Sequence, residues 1–102
     1  MKSPDRIVVG IGWYTPDQYS SLKAFAADPE ILDDNHEQWL IGAEKLFREL
    51  GAQDGMRPVR ISVDVQELLN WCRKMGNPLD ASSRAQFIAE KVRIMSLSED
   101  DR

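Results

Sequence analysis

The sequence has a single cysteine, Cys72, and a single histidine, His36. One cysteine excludes an internal disulfide. With only one histidine beside it, the paired Cys and His spacings of structural zinc sites are excluded too. No excess of basic residues is present: 13 Lys and Arg stand against 17 Asp and Glu, for a net charge of -4. Phosphate backbones are held by dense Lys/Arg faces, so this balance argues against nucleic-acid binding. No apolar run approaches the length of a membrane span. Lys2-Ser3-Pro4-Asp5-Arg6 precedes a short, glycine-broken apolar stretch, which does not read as a secretory signal. The expectation from these features is a cytoplasmic protein with no membrane partner and no cofactor.

Motifs of known chemistry are missing as well. Gly10-Ile11-Gly12 opens like a dinucleotide fingerprint, but no third glycine follows at the needed spacing. Trp13 and Tyr14 also put bulk where phosphate would sit. No serine lies in a glycine-flanked turn of the hydrolase type. The carboxylate runs Asp33-Asp34 and Glu99-Asp100-Asp101 lie in polar surroundings and read as solvated charge and helix caps. Asp33, Asp34, His36 and Glu37 are too close in sequence to face one point from a regular helix, so no metal site is expected there.

What is present is one domain's worth of chain. With 102 residues, 42% of them hydrophobic, the sequence can build one core. A chain of this size buries roughly two thirds of its extended surface. The domain is expected to span 1–102, with 1–5 and 97–102 loose.

The β-branched and aromatic stretch Arg6 to Tyr14 reads as a strand. Thr15, Pro16 and Gln18 form a helix start, with Leu22, Phe25 and Ala26 on one face. Asp28-Pro29 stops that helix, and Asp28 is placed to cap a short turn through Leu32. Asp34, with Glu37 three residues on, reads as the cap of a second helix. Its stripe is Trp39, Ala43, Leu46, Phe47 and Leu50, and Gly51 is placed to end it in a left-handed conformation.

From Arg57 to Asp64, Val59, Ile61 and Val63 alternate with Arg60, Ser62 and Asp64, the pattern of a half-buried strand. Asp64 then caps a third helix with Val65, Leu68, Leu69, Cys72 and Met75 inward, closed by Gly76-Asn77-Pro78. Asp80 opens a fourth, lined by Ala85, Ile88, Ala89, Val92 and Met95. The order is β-α-α-β-α-α, an α/β or α+β domain in two layers around a minimal two-stranded sheet. If each intervening helix reverses the chain, the strands run antiparallel, and this is the favoured direction. A single long diagonal helix would make them parallel.

Two strands alone are marginal in water. An exposed edge that pairs with a second copy would extend the sheet, so a homodimer through a strand edge is expected. On the first strand Val8, Gly10, Gly12 and Tyr14 share a face, and two glycines leave bare backbone there. If the strands are neighbours, that face is expected beside Arg60 and Ser62. Gly10, Gly12, Tyr14, Arg60 and Ser62 are therefore the candidate binding residues. The commoner use of such glycines is close packing under a helix.

His36 stands among acids at a helix start with no nucleophile near it in sequence. Cys72 falls on an inner face and reads as core. Trp13, Trp39 and Trp71 read as core as well, unless one is exposed as a partner anchor. The absence of a nucleophile, base and orienting group points away from catalysis. The leading reading is a non-enzymatic, self-associating interaction module with an unidentified protein partner. The alternative is a small ligand-binding protein or enzyme with a site near Tyr14, His36 and Arg60. A regulatory component of toxin–antitoxin type also fits the size and acidity.

The stretch Gly12-Trp13-Tyr14-Thr15-Pro16-Asp17-Gln18, the Ala26-Ala27-Asp28-Pro29 turn, Trp39-Leu40 with Ala43-Glu44, and Val63-Asp64-Val65 leading to Leu68-Leu69-Asn70-Trp71-Cys72 carry a resemblance. Together they resemble a group of small uncharacterised bacterial proteins of similar length. The resemblance implies a bacterial, cytoplasmic protein and brings no catalytic or binding residue with it.

Overall fold

The structure, a computed structural model, describes residues 6–100. The two strands are β1 (Ile7–Trp13) and β2 (Met56–Ser62). Four helices accompany them: α1 (Pro16–Phe25), α2 (His36–Gly51), α3 (Val65–Met75) and α4 (Ala81–Asp100). A 3₁₀ turn at Pro29–Ile31 separates α1 from α2. This α+β arrangement has the expected order and the expected two-stranded sheet. Of the ends expected to be loose, 1–5 and 97–102, residues 1–5 and 101–102 lie outside the described residues, and 97–100 instead belong to α4, which runs on to Asp100.

The strands are parallel, with Ile7 opposite Met56 and Trp13 opposite Ser62. This corrects the favoured antiparallel direction. The reason is the path of α1, which leaves the sheet to pack on α3 and α2 and so does not return the chain. The return is made by α2 alone. Its 16 residues span ~24 Å, the length of a seven-residue strand at ~23 Å. One full-length return makes a parallel pair.

Local signals set the helix boundaries. Thr15 Oγ1 accepts from the Gln18 N–H at 3.2 Å, with Pro16 in the first turn. Asp64 Oδ1 accepts from the N–H groups of Gln66 and Glu67, and Asp80 Oδ1 from that of Ser83. Gly76 ends α3 at φ 73°, the left-handed conformation glycine takes without a Cβ penalty.

Three boundaries differ from expectation. Asn35, not Asp34, caps α2, its Oδ1 accepting from the Gln38 N–H at 2.9 Å. Gly51 is the last residue of α2, and the chain continues through Ala52 at φ −84°, so no left-handed residue is used there. Asp28 makes no side-chain cap to the 3₁₀ turn, because its carboxylate is engaged by α4.

Where two layers were expected, the helices divide between both faces of the sheet. Ile88 and Val92 of α4 lie against Gly10, while Phe47 and Trp39 of α2 lie against Trp13. The main core is on the α4 side, where Ile61 and Val63 meet Tyr19, Leu22, Leu68, Cys72 and Phe87. Each such fully buried aliphatic or aromatic side chain contributes about 1.5–3 kcal/mol of burial.

Candidate functional site

The free edge of β1 is the feature that could serve a function. In a parallel ladder, alternate residues of a strand direct both backbone groups to the same neighbour. The Ile7 N–H donates to the Gly55 carbonyl at 2.7 Å, and the Trp13 carbonyl accepts from the Val63 N–H at 3.1 Å. With the register from Ile7 to Trp13, residues 7, 9, 11 and 13 therefore face β2. Val8, Gly10 and Gly12 direct their N–H and C=O groups the other way, into open space.

That space is a groove of about 550 Å³. Leu46 and Leu50 of α2 form one wall, and Ala85, Ala89 and Val92 of α4 form the other. Ala85 and Ala89 are exposed, and Leu46 is 45% exposed, so an apolar stripe on each wall has no cover. Among the described residues Arg84 is the only charged side chain lining the groove, and it is already paired with Asp28 at 2.8 Å. Tyr14 lies at the end where Gly12 sits. Tyr14 is only 8% exposed. Burial raises its phenol pKa above 10.0, with Arg84 acting in the opposite direction, so it stays a neutral donor.

The other sheet edge is blunted. Even-numbered residues of β2 point outward there. The Met56 N–H is taken by the Gln53 carbonyl at 3.3 Å, and Pro58 has no N–H to offer. A proline on an edge strand is a recognised guard against pairing. β1 has no proline, no charged residue and no bulge along Ile7–Trp13.

The five candidate binding residues divide. Gly10, Gly12 and Tyr14 belong to the groove, where the glycines offer their backbone in the plane of the sheet. Their faces, by contrast, are closed by α4. A Cβ on Gly12 would lie 3.2 Å from Ile88 Cδ1. Arg60 and Ser62 do not lie beside them. In the parallel register Gly10 stands opposite Val59 and Gly12 opposite Ile61, which places Arg60 and Ser62 on the face of Ile11 and Trp13. The Arg60 guanidinium rests 4.0 Å from the Phe47 ring centre and 4.7 Å from that of Trp13. It shields aromatic surface there and faces away from the groove.

Of Tyr14, His36 and Arg60, the first two are in contact, while Arg60 rests on Trp13 and Phe47. The His36 Nε2–H donates to the Tyr14 backbone carbonyl at 2.7 Å; a carbonyl only accepts, so this nitrogen holds the proton. His36 also packs on Trp39 at 5.3 Å, within an aromatic cluster that includes Tyr19 and Trp13. It acts as a brace between the end of β1 and the start of α2. Cys72 is 1% exposed, and burial raises its thiol pKa. Among the described residues no group of three His, Cys, Asp or Glu side chains is placed to hold a metal ion. No described helix is long and apolar enough to cross a membrane.

Sequence reasoning placed Gly10 and Gly12 but not the walls. Ala85, Ala89 and Leu46 belong to the apolar stripes that the sequence shows on α4 and α2, and that spacing is the signal that marks them. No protein-family model matches this chain, and no curated protein or solved structure is similar to it.

Proposed function

We propose that this protein is a non-enzymatic interaction module that takes up an extended chain segment along β1, as a third strand of its sheet. One observation carries this reading. The backbone groups of Val8, Gly10 and Gly12 open into an apolar groove walled by two helices, while the opposite edge is blunted by Pro58. Strand addition uses such an edge: backbone bonds give affinity, and side-chain pockets give selectivity. The proposed setting is the bacterial cytoplasm, in keeping with the composition and the resemblance noted above.

Val8→Pro tests the reading. It deletes an outward N–H and leaves the ladder to β2 intact, because the Val8 backbone does not face β2. Amide exchange is followed with and without a nine-residue alternating Thr/Val peptide at millimolar concentration. The peptide is expected to slow exchange at Val8, Gly10 and Gly12 in the native protein. Val8→Pro and the groove-blocking Ala89→Arg abolish the slowing at Gly10 and Gly12. Exchange that is fast at these amides and stays fast with the peptide present rejects the reading.

A further inference from the structure

We propose that the segment the groove takes up is β1 of a second copy, paired antiparallel about a two-fold axis at Gly10. This rests on the strand-accepting reading and names its partner. β1 runs from residue 7 to 13, so Gly10 is its midpoint. Antiparallel self-pairing about Gly10 therefore uses the whole strand. Gly10 meets Gly10 of the second copy, and Val8 meets Gly12. All are residues whose backbone groups point outward, so each pair exchanges two hydrogen bonds. The result is a continuous four-stranded sheet with β2 of each copy at its outer edges, where Pro58 guards both.

The walls favour a second copy over a bare strand. A two-fold axis perpendicular to the sheet keeps each helix on its own face, so α2 meets α2 and α4 meets α4. The exposed Leu46 of each copy then gains an apolar neighbour. Ala85 and Ala89 are small enough for the two α4 helices to approach closely, toward the 8–10 Å end of helix packing distances. A lone peptide covers these stripes only with the side chains of a single strand, whereas a second copy brings a helix to each. Among the described residues the one charged group in the groove lining, Arg84, is already paired with Asp28.

The contact strip is ~23 Å long and ~20 Å deep, on the order of 500 Å² per copy. The total, about 1,000 Å², is below the ~1,200 Å² of stable interfaces and in the range of weak, transient ones, so the dimer is expected to dissociate on dilution.

The experiment has two parts. Sedimentation equilibrium between about 1 µM and 1 mM reads the mass of the native chain, Val8→Pro and Ala89→Arg; circular dichroism confirms that each variant is folded. Oxidative cross-linking reads the register. Val9 and Ile11 of different copies form a non-hydrogen-bonded pair in this arrangement, with Cα atoms about 4.5 Å apart, within disulfide reach. A mixture of Val9→Cys and Ile11→Cys chains is expected to cross-link, and neither chain alone. Buried Cys72 stays out of the reaction.

The expected result is a native dimer that dissociates on dilution, two folded monomeric variants and a cross-link confined to the mixture. A dimer that survives both substitutions, or a cross-link within Val9→Cys chains alone, overturns the proposal. A native monomer at every concentration overturns it as well. If that monomer still protects Val8, Gly10 and Gly12 on adding the Thr/Val peptide, strand uptake stands and only the second copy is rejected. Without such protection both fail.

Discussion

A Cβ placed on Gly10 would stand 2.5 Å from Cγ2 of Val92 and 2.8 Å from Cγ2 of Ile88. Both atoms belong to β-branched side chains with stiff χ1, on a helix packed over the strand, so neither swings aside easily. Gly10→Ala is therefore expected to push α4 off β1. Overpacking of this kind costs about 1–3 kcal/mol, partly offset by the ~0.4–1 kcal/mol that a less flexible unfolded chain returns. Urea denaturation should show a net loss. Gly42 is the contrast: it is exposed within α2, and an added Cβ meets nothing within 4 Å. Gly42→Ala is expected to gain about 0.5–1 kcal/mol from helix propensity. Equal effects at the two sites would mean that α4 does not press on the strand.

Arg84 and Asp28 fasten the end of the groove. Arg84 Nη1 donates to Asp28 Oδ1 at 2.8 Å and Nη2 to Oδ2 at 3.3 Å, while the Ala81 N–H donates to Oδ2 at 2.8 Å. The hydrogen bonds from Arg84 hold the Asp28 carboxyl below its ordinary 3.8, against the opposing effect of burial and with help from the Ala81 N–H. A depressed carboxyl pKa stabilises the fold above the unfolded value, and that stability is lost as pH falls through the lower, folded value. Asp28→Asn should therefore cost about 1.5–3 kcal/mol at pH 7. The gap to the native chain should close as pH falls below about 4. Urea melts of both proteins at pH 7 and pH 3 check this. A gap that stays constant with pH would show that the pair adds no charge-dependent stability.

The caps at Thr15, Asp64 and Asp80 were legible because each depends on one side chain and an N–H two or three residues on. The choice of Asn35 over Asp34 was not, since both types cap well and the apolar stripe of α2 fits either start. Strand direction was hidden for a different reason. It turns on whether α1 crosses the sheet or leaves it for α3, and the buried Leu22 and Tyr19 satisfy either path locally. The site was half legible. The bare backbone at Gly10 and Gly12 is a property of the residues themselves. That it opens at an edge, with the faces covered, depends on the pairing register, as does the separation of Arg60 from the glycines. The stripe of Ala85 and Ala89 is apolar in sequence, but only packing shows that nothing in the described chain covers it.

Cys72 bears on whether any chemistry should be sought here. The residue is 1% exposed in the core formed by α1, α3 and α4, and burial raises its thiol pKa above 9.0, with the hydrogen bond to Ser83 acting the other way. A thiol reacts as the thiolate, so both burial and the raised pKa suppress attack on a reagent. With a disulfide reagent such as dithiobisnitrobenzoate at pH 8, the folded protein is expected to react far more slowly than a free thiol. The rate should rise in step with the unfolded fraction as urea is added. Cys72→Ala should leave groove binding unchanged and cost stability alone, as a buried group with no role at the β1 edge. Fast labelling of the folded chain would instead show that the core opens at α3, and would make the thiol a reactive group in its own right.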